Sequence, residues 1–261
     1  MGEISSFVPY SSEVGDVQMW IYELELECHE KVFFASREID KFFMTESVVG
    51  NYALAYAFNF AQSPYHVESV AKDKPRYRED LSVLNEQGIY LTPATPLHKP
   101  MLEVERFNAL TDSYWYQMSN NIVVGDLTYK LDSSIKRRPA NFPQEGRLRL
   151  LSRGNRFLTY LQTAEKIDIP SYIRLGKFNS KVKVLVREIW ETPPTSEQQE
   201  VLIDYYLNPL DIPASCHVTI FDLLSIPPVP LVKNAVMTGE FYHLGSDKLL
   251  PVGLKYGGMS T

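Results

Sequence analysis

The stretch Met19–Phe34, MWIYELELECHEKVFF, decides how the rest of the chain is read. Trp20, Tyr22, Leu24, Leu26 and Cys28 fall on one face of an extended strand, and Ile21, Glu23, Glu25, Glu27 and His29 on the other. Three glutamates in register imply a strand that covers a core on one side only. After the loop Ala35–Met44 comes a helix signal. Thr45 is placed to cap it, Glu46 sits where a carboxylate suits the dipole, and the pattern runs to about Gln62, before Pro64. Gly50, Leu54, Ala57 and Ala61 form a small-residue stripe on it, flanked by Asn51, Tyr52 and Tyr56. A half-open strand followed by a helix that can lie on its apolar face is how a split β-α-β antiparallel sheet begins.

Outward from that stretch the organisation is uneven. Residues 1–18 read as an irregular extension with neither the basic cluster nor the apolar core of a secretory leader. From Ser63 to about Pro143 prolines punctuate the chain, so this region is expected to be a large, partly β insertion hung on the sheet, with an exposed loop at Lys72–Asp80. Regular pattern returns at Arg147, with two short strands around the turn Arg153-Gly154-Asn155. Ile169–Phe178 and Lys181–Trp190 make two more strands joined by a tight turn. Thr192–Glu200 reads as a linker opening a short helix from about Glu197 to Tyr206, and His217–Leu224 and Ala235–His243 return to β. The expected fold is therefore α+β: a ferredoxin-like antiparallel sheet over 19–190 with a large, partly β insertion at about 63–143. A β-rich C-terminal extension over 191–261 packs on the same core.

Composition bounds the function. The two cysteines, Cys28 and Cys216, lie far apart, which suits a reduced cytoplasmic chain without disulfides or thiolate metal sites. No apolar run is long enough to span a membrane. The net charge of −6 conceals an asymmetry: Lys130–Lys183 holds 13 Lys and Arg against 4 Asp and Glu, a local +9 that leaves −15 elsewhere. Glu188–Val232 carries seven acids and neither Lys nor Arg. Such a split fits a protein that meets a polyanion with one surface.

The candidate binding residues follow from that band: Lys136, Arg137, Arg138, Arg147, Arg153, Asn155, Arg156, Arg174, Lys177 and Lys181. Cations at this density give sequence-independent nucleic-acid affinity through counterion release. Asn51 and Tyr52 join them, because the turn into the first helix could offer backbone N–H groups to a phosphate. The run Tyr114-Trp115-Tyr116 could stack bases, but alternation puts one of its faces into a core. Catalytic signals are poor. The five histidines show no metal-ligand spacing, and no nucleophile elbow, P-loop or dinucleotide fingerprint is present. No cofactor is expected.

Five blocks taken together resemble a known family: TESVVGNYALAYAF (Thr45–Phe58), LNEQGIYLTPATPL (Leu84–Leu97), FNALTDSYWYQMSNN (Phe107–Asn121), GNRFLTYL (Gly154–Leu161) and YIRLGKFNSKVKV (Tyr172–Val184). They are similar to the Csc-type small subunit of type I-D CRISPR effector complexes, within the RAMP superfamily and CRISPR-associated protein family five. The resemblance covers most of the chain from Trp20 onward. It implies an RRM-like palm with a β thumb and a non-catalytic role gripping the crRNA 5′ handle beside the backbone and large subunits of the complex. Contact with target DNA near the PAM is left open. Two other readings stay in play: a metal-independent endoribonuclease using His66 or His98, and a protein-only scaffold.

Overall fold

The computed structural model describes residues 18–40, 42–62, 76–108, 121–124, 127–130, 145–196, 198–245 and 247–257. The alternating stretch forms β1 (Trp20–Cys28), the centre of a curled antiparallel sheet. β10 (Arg156–Thr163) pairs along one side of it, from Trp20↔Thr163 to Glu27↔Arg156. β12 (Ser180–Glu191) pairs along the other, from Trp20↔Glu191 to Cys28↔Val182. β4 (Tyr90–Leu91) and β5 (Thr95–Pro96) pair with successive parts of β10, and β11 (Tyr172–Leu175) closes the β12 side as a hairpin. The order is β11-β12-β1-β10-β4.

Two helices occur among the described residues, α1 (Asn51–Ala57) and α2 (Tyr77–Glu86). α1 is much shorter than its sequence pattern. Val49 is drawn into an extended bridge with Ala94, so the helix cannot start before Gly50, and Asn59 at φ 62 ends it. Thr45 does not cap it: its hydroxyl donates to the Phe34 carbonyl (2.9 Å) and accepts from the Phe34 N–H (3.0 Å), clamping the exit from β1. The region expected to be an insertion supplies α2, β4 and β5, so part of it belongs to the main sheet.

A second sheet has the order β2-β3-β9-β6, from β2 (Arg37–Ile39), β3 (Phe42–Met44), β9 (Glu145–Leu151) and β6 (Leu102–Asn108). Its β3–β9 pair is parallel. The strands either side of the Arg153-Gly154-Asn155 turn are thus real, but β9 and β10 lie in different sheets and do not pair. β7 (Asn121–Val124) and β8 (Leu127–Lys130) form a separate hairpin. The C-terminal part builds a sheet β13-β15-β14 from β13 (Gln199–Ile203), β14 (His217–Leu224) and β15 (Leu231–Gly239), with a ribbon of β16 (Phe241–His243) and β17 (Leu249–Pro251). The helix expected over Glu197–Tyr206 is instead strand β13, because Val201 and Ile203 alternate into the core against Met237 and Ala235.

Both faces of β1 are covered, against the one-sided reading of its sequence. Tyr22, Leu24, Leu26 and Cys28 pack with Leu54 and Phe58 of the α1 region, Leu91, Phe157 and Val182. On the other face Ile21 joins Tyr160 in a core with Ile203, Val232, Met237 and Phe241 of the C-terminal strands. Glu23 and Glu25 are buried beside it. A bulge in β12 opposite Glu23/Leu24 lets Arg187, itself exposed, reach Glu25 and donate to its Oε2 (2.6 Å). Arg156 hydrogen-bonds the other oxygen of Glu25, and Lys248, arriving from the C-terminal ribbon, binds Glu23. Burial pushes the Glu25 carboxyl up, but the two guanidinium groups outweigh it and hold the group below its usual value. Glu25→Gln removes the charge both arginines were folded against. It is expected to cost about 3 kcal/mol, read as a lower urea midpoint at unchanged slope.

Candidate nucleic-acid interface

The C-terminal end of the glutamate-bearing face of β1 remains open. Cross-strand register sets a row of side chains there: Tyr172 and Arg174 of β11, Lys181 and Lys183 of β12, Glu27 of β1 with His29 just past its end, and Arg156 of β10. Tyr172 is 45% exposed, and its ring lies 5.6 Å, edge to face, from His29. The Lys181 ammonium sits 4.0 Å from the Tyr172 ring centroid. The two aromatics escape a reading of the sequence because they lie far apart along the chain. Only the β11-β12-β1 register brings them together. The signal available was the alternation of Tyr172 with Arg174 in a strand already marked as basic.

The segment Cys28–Phe33 holds the two basic turns against this row. Gly154 N–H donates to the Cys28 carbonyl (2.8 Å), and Cys28 N–H to that of Asn155 (2.9 Å). His29 N–H donates to the Lys181 carbonyl (3.0 Å), Lys177 N–H to that of Phe33 (2.8 Å), and the Ser180 hydroxyl to that of Lys31 (2.6 Å). The β11–β12 turn is pinned by Gly176 at φ 72, where an added Cβ would lie 2.6 Å from the Phe33 carbonyl oxygen. Gly176→Ala should therefore lift the hairpin off this segment. We expect a loss of roughly 2 kcal/mol in thermal unfolding, together with weaker RNA binding at a temperature where the variant is still folded.

The candidate cations differ in what they have left to offer. Arg156 is committed to Glu25, and Arg174 lies 3.5 Å from Glu30. Arg153, Lys177, Lys181 and Lys183 have no ion-pair partner among the described residues, and Arg153 and Lys177 are exposed. Arg147 is exposed on β9 of the second sheet, opposite Arg106. Lys136, Arg137, Arg138, His66 and Tyr114-Trp115-Tyr116 lie outside the described residues.

Three expected contacts are corrected. Asn155 is buried, with Oδ1 accepting from Met101 N–H (2.8 Å) and Nδ2 donating to the carbonyls of Met101 (2.7 Å) and Ser152 (2.8 Å). It fixes the turn and has no group left to read a base. Asn51 is buried and donates to Asp211 Oδ2 (2.6 Å); Tyr52 is buried and donates to the Gly257 carbonyl (3.2 Å). Both belong to the joint between the main sheet and the C-terminal part. α1, with seven residues, is too short to serve as an anion site.

The open row combines cations without partners, exposed aromatics and a turn held in place by backbone hydrogen bonds, an arrangement suited to a flexible polyanion. The family description "Type I-D CRISPR-associated protein Cas5/Csc1" matches residues 19–259. The chain belongs to this family. Among solved structures it is similar to a chain of the cryo-EM structure of the Type III-B Cmr-beta bound to cognate target RNA and AMPPnP, with 10% identity, TM-score 0.39, and coverage of 83% of this chain and 86% of that one. It is also similar to a CRISPR protein from Archaeoglobus fulgidus, with 12% identity, TM-score 0.34, and coverage of 89% and 98%. No curated protein matches. No helix among the described residues is long and apolar enough to cross a membrane.

Proposed function

We propose that this chain is a non-catalytic RNA-binding subunit of a type I-D CRISPR surveillance complex, holding the crRNA 5′ handle at the open end of the main sheet. The observation that carries this reading is the row Tyr172–Lys181–His29, with Arg153 and Lys177 on the turns beside it. Aromatic faces accept any base, and neighbouring cations follow the phosphates. Membership of a CRISPR-associated family supports taking crRNA as that single strand. The β12-β1-β10-β4 strand order supports an RRM-like palm, one in which strand β11 and no helix stands between β10 and β12. In this reading the main sheet is the palm, the backbone and large subunits are its further neighbours, and contact with target DNA near the PAM stays open.

Filter binding of the purified chain to repeat-derived single-stranded RNA and to duplex DNA of equal length tests the assignment. Preference for the single strand, lost on Tyr172→Ala, is expected. The same RNA incubated with the chain in EDTA should remain intact. Cleavage there would replace the binding role by a metal-independent endoribonuclease.

A further inference from the structure

The three-stranded C-terminal sheet is unfinished on one side. Among the described residues β14 pairs with β15 alone, so its other edge carries backbone groups without a partner strand there. Ile220 (67% exposed) and Leu202 (66%) stand on the outer face either side of Val236, their register partner on β15. Beneath the same edge, Phe221 and Leu223 (61% exposed) overhang a groove of about 430 Å³ that is also lined by Ile212, Pro213, Val218 and Val232. The edge is broken by register shifts between Val218 and Ile220 and between Ile220 and Asp222, but it carries apolar side chains exposed above and below it, as the receiving side of strand addition does.

We infer that β14 takes an extended segment of a partner protein as a fourth strand, its apolar side chains entering the groove and its Lys or Arg side chains facing the outer surface. Charge chooses the partner. Glu200 and Asp204 are exposed on the side of β13 that bears Leu202, and the only Lys or Arg of the three strands is Lys233, which lies opposite Asp222 of β14. A second copy of this chain paired edge to edge would bring two such acidic surfaces together, and a nucleic acid would meet the same repulsion. A basic amphipathic strand meets neither obstacle. This surface is built from other strands than the basic row, and the inference stands without the RNA reading.

The test uses the full chain and two labelled eight-residue peptides, one alternating valine with lysine and one alternating valine with glutamate. The lysine peptide should bind and slow amide hydrogen exchange at His217–Leu224, and the glutamate peptide should not bind. Leu223→Asp separates docking from simple attraction, because it adds an acid while spoiling the groove. Its affinity for the lysine peptide should fall at least tenfold, and Ile220→Asp, on the outer face, gives a second variant whose side chain is equally exposed. Tighter binding by Leu223→Asp would show that charge alone attracts the peptide and would overturn the proposal. So would unchanged exchange at β14, or a concentration-dependent dimer of the chain that Leu223→Asp dissolves.

Discussion

Asp211→Ala is expected to cost about 4 kcal/mol, or roughly 10 °C in thermal midpoint. Asp211 is buried where the C-terminal part meets the main sheet. Its Oδ1 accepts from Gly257 N–H (2.8 Å), and its Oδ2 accepts from Asn51 Nδ2 (2.6 Å) and Tyr90 OH (3.0 Å). Alanine leaves all three donors buried without an acceptor, and each stranded donor costs about 1–3 kcal/mol.

The same carboxyl makes stability depend on pH in a definite direction. Burial pushes its pKa up to about 7, with the donors from Gly257, Asn51 and Tyr90 opposing that rise. Unfolded, it titrates near 4. Between those values the native state keeps a proton that the unfolded state releases, so this contribution is full below about pH 4 and fades as pH rises towards 7. Asp211→Asn should abolish that slope while keeping the shape. Asn51 Oδ1 has no partner among the described residues, so an amide turned over at Asn51 can accept from the new Nδ2. Denaturant midpoints measured from pH 4 to pH 8 check the sign: a wild-type chain that gains stability from this group as pH rises would refute it.

Reversing Arg153 and Lys177 together to glutamate should weaken single-stranded RNA binding about a hundredfold near 50 mM salt. Two lost phosphate contacts should also make the log–log salt slope shallower by roughly 1.4. Arg156 is a poor probe of the same surface, because its guanidinium already serves the buried Glu25 and its reversal would strike the fold. Tyr172→Ala completes the comparison. Loss of a stacking face, worth about 1–3 kcal/mol per base, should weaken binding by tenfold or more and leave the salt slope where it was. Equal slopes in all three proteins would mean that the charged turns do not touch the RNA backbone.

How far this surface could be read without coordinates depends on distance along the chain. The alternation of β1 and the hairpin of β11 with β12 are local patterns, and both are present. The covering of Glu23 and Glu25 is not local: it needs Lys248, 225 residues from Glu23, and a bulge that no single strand announces. The polar approach to β13 resembles a helix start, and only Met237 and Ala235 across the sheet select the strand. The basic band was legible as a sum of charges. Which cations remain available was not, since Glu25 and Glu30 engage Arg156 and Arg174 only in three dimensions.

The two neighbours of β1 lie far downstream of it in the chain. At ordinary rates of translation β1 therefore waits roughly ten seconds or more before either strand leaves the ribosome. During that interval its bare edges and its Trp20, Tyr22, Leu24 and Leu26 face would invite pairing with other nascent chains. Glu23, Glu25 and Glu27 stand bare throughout it, when none of their cationic partners has been made. The carboxylates that Arg156, Arg187 and Lys248 later engage thus act first as a guard against aggregation, and they become part of the fold only once the strand is safe.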